Sequence, residues 1–172
     1  MSKEKVYVVD ENDTVLEEKW RDEATPDDRI RIVAVWVENN NGEILLAQRA
    51  HHRRLHPGLW GPSAAGGVTA GEDYLDSAKK ELFEELCLDV EKENAAITQI
   101  DKHLYGTAAE DDGLRMLAVF LVHVDWPLEK FIYPENEVAA LKWISKEVLR
   151  QDLQEHPEKY LPHANTWKRY LI

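Results

Sequence analysis

Glu81, Glu84 and Glu85 stand at i, i+3 and i+4 in the run Asp73-Tyr-Leu-Asp-Ser-Ala-Lys-Lys-Glu-Leu-Phe-Glu-Glu-Leu-Cys-Leu88. Asp73 is a natural N-cap and neither Pro nor Gly interrupts the run, so the spacing predicts a helix. At about 100° per residue, Leu75, Ala78, Leu82 and Leu86 share one stripe and the glutamates share an adjoining arc. The stripe is expected to face the core, with the carboxylates at its edge. Three like charges at that spacing repel by roughly 0.2–0.5 kcal/mol per pair when exposed, and by more when desolvated. A divalent cation offsets the repulsion. Mg²⁺, a hard ion, takes oxygen ligands from one or two carboxylates and leaves its other positions to water and substrate phosphates. Taken alone, such a triplet also describes an ordinary solvated Glu-rich face, so its setting has to decide.

The elements that must position this helix are legible on both sides. Residues 5–9 and 14–18 flank a turn cluster and read as an N-terminal hairpin, followed by a charged connection over 19–29. Ile30-Arg-Ile-Val-Ala-Val-Trp-Val37 and Ile44-Leu-Leu-Ala47 are strand-like, and the turn residues Glu38-Asn-Asn-Asn-Gly42 between them predict a second hairpin. Residues 49–60 read as a loop and 62–68 as a short strand leading to the helix. Strands are expected at 97–106, 114–125 and 138–144, and a helical tail over 145–172 broken at Pro157 and Pro162. The interleaving predicts one layered, mixed α/β domain over 1–172.

Composition narrows the class. With 172 residues, 44% hydrophobic and 31% charged, the chain can bury a core without covalent staples. A formal charge of −12 opposes a protein that tracks nucleic-acid backbones and suits one that loads divalent cations. The one cysteine, Cys87, forms no internal disulfide, and no apolar run has signal-peptide or membrane length, so no membrane partner and a cytoplasmic location are expected.

From Gly66 to Leu88 the residues keep a known spacing: glycine, five residues, glutamate, seven residues, then a basic residue, Glu, an aliphatic, any residue, Glu-Glu, any residue, glycine and an aliphatic. Gly66, Glu72, Glu81, Leu82, Glu84, Glu85 and Leu88 match it. The run resembles the Nudix box. Two positions depart, with Lys80 where the family has Arg and Cys87 where it has Gly. Lysine keeps the charge and reaches Glu84 at i+4, but lacks the planar fork that grips a carboxylate bidentately. If the glycine position has positive φ, a Cys there is strained by about 1 kcal/mol. Gly42-Glu-Ile-Leu-Leu-Ala-Gln-Arg49 and Pro57-Gly-Leu-Trp60 extend the resemblance over about residues 30–89.

The resemblance implies an α/β/α sandwich and a Mg²⁺-dependent hydrolase, Mn²⁺ being an alternative, that cleaves a phosphoanhydride in a small-molecule diphosphate. It implies that Glu84 and Glu85 bind the metal, with Glu81 as a further ligand or as the base for water. The Gly66 carbonyl is a further candidate ligand, and Glu72 and Lys80 would be supporting charges. Glu110, Asp111, Asp112 and Glu137 are candidates for an acidic residue from a later loop. Arg49-Ala-His-His-Arg-Arg-Leu-His56 is the one basic cluster, so Arg49, Arg53 and Arg54 are candidate phosphate contacts, with a solvated loop as the alternative. Trp60 reads as a core residue before a stacking platform, and Cys87 as a small buried hydrophobe before a nucleophile.

Residues 30–72 also resemble the isopentenyl-diphosphate isomerase branch of the superfamily, in which a catalytic Cys follows the Trp by five residues and a metal-binding His comes two later. Ala65 and Gly67 hold those positions here, so neither thiol nor imidazole is available. A catalytically silent Nudix binding module is the other rival. Substrate identity is not legible, and a homodimer stays open.

Overall fold

The computed structural model describes residues 4–109 and 113–171. Within them the order is β1 (Lys5–Val9), β2 (Val15–Trp20), β3 (Ile30–Glu38), β4 (Glu43–Arg49), β5 (Trp60–Gly61), β6 (Ala64–Gly67), α1 (Tyr74–Leu86), β7 (Ile97–Tyr105), β8 (Arg115–His123), β9 (Val138–Ser145) and α2 (Lys146–Glu155). Short 3-10 turns follow at Pro157–Lys159 and Ala164–Arg169.

The layers follow from side-chain alternation. Val33, Val35 and Val37 of β3, Leu45 of β4 and Ala118, Phe120 and Val122 of β8 point into one core, closed by Ala78, Leu82 and Leu86 of α1. Their neighbours Ala34, Trp36, Ile44, Leu46, Leu117 and Val119 enter a second core, closed by Leu149 and Leu153 of α2 and by Trp167 and Leu171 beyond it. A mixed sheet covered on both faces by helical segments is the expected α/β/α sandwich. Double burial also explains why β3 and β8 read as unbroken apolar runs: strands buried on both faces have no polar side to alternate. These two run parallel, paired from Ile30↔Arg115 to Glu38↔His123.

The expected second hairpin is corrected. β3 and β4 pair only at Glu38↔Ile44, beside the Asn39–Gly42 turn, and then diverge. β3 continues against β6 and β8, while β4 pairs with β5 and β9. The fork leaves backbone groups facing a gap, and Ser63 fills it. Its fully buried hydroxyl accepts from the Val37 N–H at 2.8 Å and donates to the Leu45 carbonyl at 2.7 Å. A side chain thus replaces the missing ladder rung, as buried backbone groups require.

Two helix expectations are also corrected. Leu75 is exposed, and Ser77 is buried in its place beside Ala78, Leu82 and Leu86. The serine tolerates the core because its hydroxyl donates to Glu72 at 2.9 Å. Cys87 is exposed rather than buried, and it adopts φ 53°, ψ 29°. There its N–H returns to the Phe83 carbonyl at 2.9 Å and the Leu88 N–H to the Leu82 carbonyl at 3.2 Å, a left-handed helix closure built on a non-glycine residue.

Candidate active site

The site lies where β6 passes under α1. Asp73 caps the helix by accepting from the Asp76 N–H at 2.8 Å, which fixes its start and hence the azimuth of each glutamate. Glu85 reaches back to β6, accepting from the Ala65 N–H at 3.1 Å. Glu81 lies directly over Gly66, so close that a β-carbon at that position would overlap its carboxylate. Glycine at 66 is therefore a packing requirement of this arc. Glu84 is exposed beside them.

Burial sets the electrostatics. Desolvation, then the charge of Glu84, pushes the Glu81 carboxyl up to about 7, with Glu137 adding and Lys80 and Arg21 opposing. Desolvation, then the charge of Glu81, pushes Glu85 up to about 8, with Glu137 again adding; the Ala65 hydrogen bond and Arg49 oppose. Glu137, the residue before β9, thus adds its charge to both glutamates. Glu110, Asp111 and Asp112 lie outside the described residues. Lys80 does not turn to Glu84; its ammonium sits 3.7 Å from Glu72 and 3.8 Å from Glu4, tying the helix to the preceding loop and to the N-terminus of β1.

The residues present suit a divalent cation. Glu84 raises the proton affinity of Glu81, Glu81 raises that of Glu85, and a cation would relieve both. Among the described residues, no three His, Cys, Asp or Glu side chains already converge at ligand spacing. Exposed Glu84 is free to join from solvent.

A cavity of about 310 Å³ opens from Ala65, Gly66 and Gly67 along the α2 side of β3 and β8. Arg49 and Arg53 of the basic loop line it, whereas Arg54 is exposed and does not. The Arg49 guanidinium also donates to the Leu55 carbonyl at 3.0 Å, which holds the loop. Trp60 stays outside the cavity, packed against the second core with the Lys142 ammonium 4.1 Å from its ring centroid. Sequence reasoning missed several lining residues: Arg21, Trp36, Tyr105, Arg115, Trp167 and Tyr170. Arg21 follows β2 and lies across Gly67, where a β-carbon would meet its guanidinium at 2.8–2.9 Å. Nothing local in the sequence signals these residues, which are gathered from distant segments.

Comparison with known proteins agrees with this geometry. The NUDIX domain family model matches residues 28–164. Similar proteins include Nudix hydrolase 3 of Arabidopsis thaliana, 32% identical over 139 residues, covering 77% of this chain and 18% of that protein. An uncharacterized Nudix hydrolase of a Nostoc species is 28% identical over 159 residues, covering 85% of this chain and 89% of that one. The isopentenyl-diphosphate Delta-isomerase of Haloarcula marismortui is 32% identical over 136 residues, covering 77% and 68%. The crystal structure of DR0079 from Deinococcus radiodurans has the same fold, with a TM-score of 0.77 at 18% identity over 98% of this chain and 97% of that one. The chain thus belongs to the Nudix family, and by family it is a Nudix hydrolase. It spans only 18% of the Arabidopsis protein, so the activity of that whole protein is not transferable as it stands. Among the described residues, no helix is long and apolar enough to cross a membrane.

Proposed function

We propose that the chain hydrolyses a phosphoanhydride bond in a small molecule of the nucleoside-diphosphate-linked type, with Mg²⁺ as cofactor and Mn²⁺ as a substitute. The observation that carries this reading is the pair of desolvated glutamates against β6, Glu81 over Gly66 and Glu85 bonded to the Ala65 N–H, at the mouth of a cavity with four arginines in its lining.

Glu81, Glu84, Glu85 and the Gly66 carbonyl would hold the metal, with Glu137 close by. When bound, the ion neutralises phosphate oxygens and lowers the pKa of water. Arg49 and Arg53 bind the phosphate oxygens and keep phosphorus in line with the attacking water. As the alternative to ligation, Glu81, which lies over Gly66, would take the attacking water's proton. Glu72 and Lys80 keep the loop and helix in register at 3.7 Å. Ala65 and Gly67 supply neither a thiol nor an imidazole, which opposes an isomerase chemistry despite the similar isomerase sequence.

The test is phosphate release from nucleoside di- and triphosphates, nucleotide sugars, dinucleoside polyphosphates and isoprenoid diphosphates, with Mg²⁺, Mn²⁺ or EDTA, and with an added phosphatase to reveal monoester products. Metal-dependent release from a nucleoside-linked diphosphate is expected. Silence across the panel with metal still bound would replace the hydrolase with a binding module.

A further inference from the structure

The family match begins at residue 28, so the β1–β2 hairpin stands outside it, yet Arg21, the residue after β2, lines the cavity. Backbone contacts set it there. The Arg21 N–H donates to the Glu4 carbonyl at 2.8 Å, extending the ladder that pairs Lys5 with Trp20. The Lys5 carbonyl in turn accepts from the Ala70 N–H at 2.8 Å, a few residues past β6. The hairpin is thereby fastened beside the strand that carries Gly66 and Gly67.

Successive residues of a strand face opposite sides, and these two glycines put no side chain on either. Glu81 covers Gly66, and the Arg21 guanidinium covers Gly67, where a β-carbon would come within 2.8–2.9 Å of it. A side chain at 67 would push the guanidinium away. The two charges thus act on one another across a bare stretch of backbone. Desolvation and Glu84 raise the Glu81 carboxyl, and Lys80 and Arg21 draw it back down. Lys80 is turned to Glu72 and Glu4, whereas Arg21 stands in the cavity wall, where an incoming anion can reach it.

A fixed positive charge at this spot has two opposite effects. It repels a second cation approaching Glu81 in the empty site, and it attracts a diphosphate. Arg21 already has a partner, since its Nη1 donates to the Glu4 carboxylate at 3.2 Å. That pair is exposed and therefore weak, and it engages one nitrogen of a guanidinium that offers five donors.

We propose that Arg21 is the resident counter-charge of the site: it balances Glu81 until the metal loads, takes a phosphate oxygen of the diphosphate when that binds, and so ties metal loading to diphosphate binding. The inference rests on the proposed metal-binding role of the glutamates, and its test reads metal and diphosphate binding separately from turnover.

The experiment titrates Mn²⁺, followed by the EPR signal of the free ion, into the full chain and its Arg21→Ala, Arg21→Gln and Arg21→Lys variants, with and without methylenediphosphonate, a diphosphate mimic that resists hydrolysis. Calorimetry reads the diphosphonate itself at saturating Mn²⁺. The two neutral variants are expected to bind Mn²⁺ alone about threefold more tightly than the parent, and the diphosphonate about tenfold more weakly. The factor by which diphosphonate tightens Mn²⁺ should shrink in both, because the coupling is reciprocal. Arg21→Lys keeps the charge and loses the fork, so it should match the parent for Mn²⁺ and fall between for diphosphonate. A residue that only held the fold would weaken both ligands when removed. Should Arg21→Ala fail to fold, Arg21→Gln decides. Mn²⁺ affinity that falls or stays level in the folded neutral variants, or diphosphonate affinity that stays at the parent's value, would overturn the proposal. The expected binding pattern without turnover would leave it standing and remove the hydrolase reading alone; turnover without that pattern would remove this proposal alone.

Discussion

The backbone N–H of Ala65 donates to the Glu85 carboxylate at 3.1 Å, so β6 itself holds the most deeply desolvated glutamate of the helix. One hydrogen bond does not satisfy a half-buried carboxylate with several lone-pair sites, and the neighbouring Glu81 raises the cost of its charge. The arrangement is thus poised for a cation rather than completed without one.

Glu85→Gln is expected to reduce metal-dependent turnover on the order of a hundredfold or more while keeping the fold, because the amide keeps the shape and removes the charge. Without metal, the variant should melt no lower than the parent at neutral or mildly alkaline pH. Added Mg²⁺ should raise the parent's melting temperature and move the variant's much less. Melting curves and initial rates, each with Mg²⁺ and with EDTA, check this. Full activity in the variant would remove Glu85 from the site.

Cys87→Gly is expected to stabilise the protein by about 1 kcal/mol. Cys87 sits at φ 53° in the left-handed region, where a β-carbon is disfavoured and glycine is not. The thiol is exposed, so its removal opens no cavity. Denaturant unfolding measures the gain, and a loss of stability would mean that the thiol has a partner in solution. The α1 metal face ends at Leu86 and should keep its activity.

How far the sequence carries the fold is visible in α1. The Asp73 cap and the 3.6-residue period locate Tyr74–Leu86 within a residue or two, and the box spacing locates the glutamate arc. The same periodicity misassigns Leu75, because Ser77 lies on the buried side and its hydroxyl finds Glu72, a pairing that no apolar count registers. Strand existence is legible from β-branched runs, but strand partners are not. β3 and β8 are buried on both faces and so carry no alternation to set a register, and the turn at Asn39–Gly42 suggests a hairpin that the fork then abandons. The cavity is the least legible part. Arg21, Arg115 and Tyr170 come from three distant segments and meet only in the folded chain.

Ser63→Ala should cost about 2–4 kcal/mol, since it orphans both the Val37 N–H and the Leu45 carbonyl inside the fork. The side chain is fully buried, so no solvent replaces the hydroxyl unless the strands separate. Ser63→Thr keeps the hydroxyl but adds a methyl group to a closed space, which costs about 1–3 kcal/mol by overpacking. Chemical denaturation of both variants tests the rung. An Ala variant as stable as the parent would mean that the fork closes on itself.

Asp13 gives the pH prediction. It sits at φ 66° in the β1–β2 turn and gathers three elements: Arg31 of β3 donates to it at 2.7 Å, Tyr74 of α1 at 2.9 Å and Lys102 of β7 at 2.9 Å. Burial alone would raise its pKa, but the bonds from Lys102, Arg31 and Tyr74 outweigh that and hold it below the ordinary 3.8. A carboxyl whose folded pKa is depressed contributes stability above its unfolded value and loses it as the pH falls through the folded one. Asp13→Asn keeps the shape and tolerates the turn, and it should destabilise the protein by about 2–4 kcal/mol near neutral pH, discounted for the exposure of Lys102. That difference should hold between about pH 5 and pH 8 and shrink below 3.8 as the parent's own carboxyl is protonated. Urea unfolding of both proteins across that range reads it directly. A gap that stayed constant into acid would mean that Asp13 acts through its shape and not its charge.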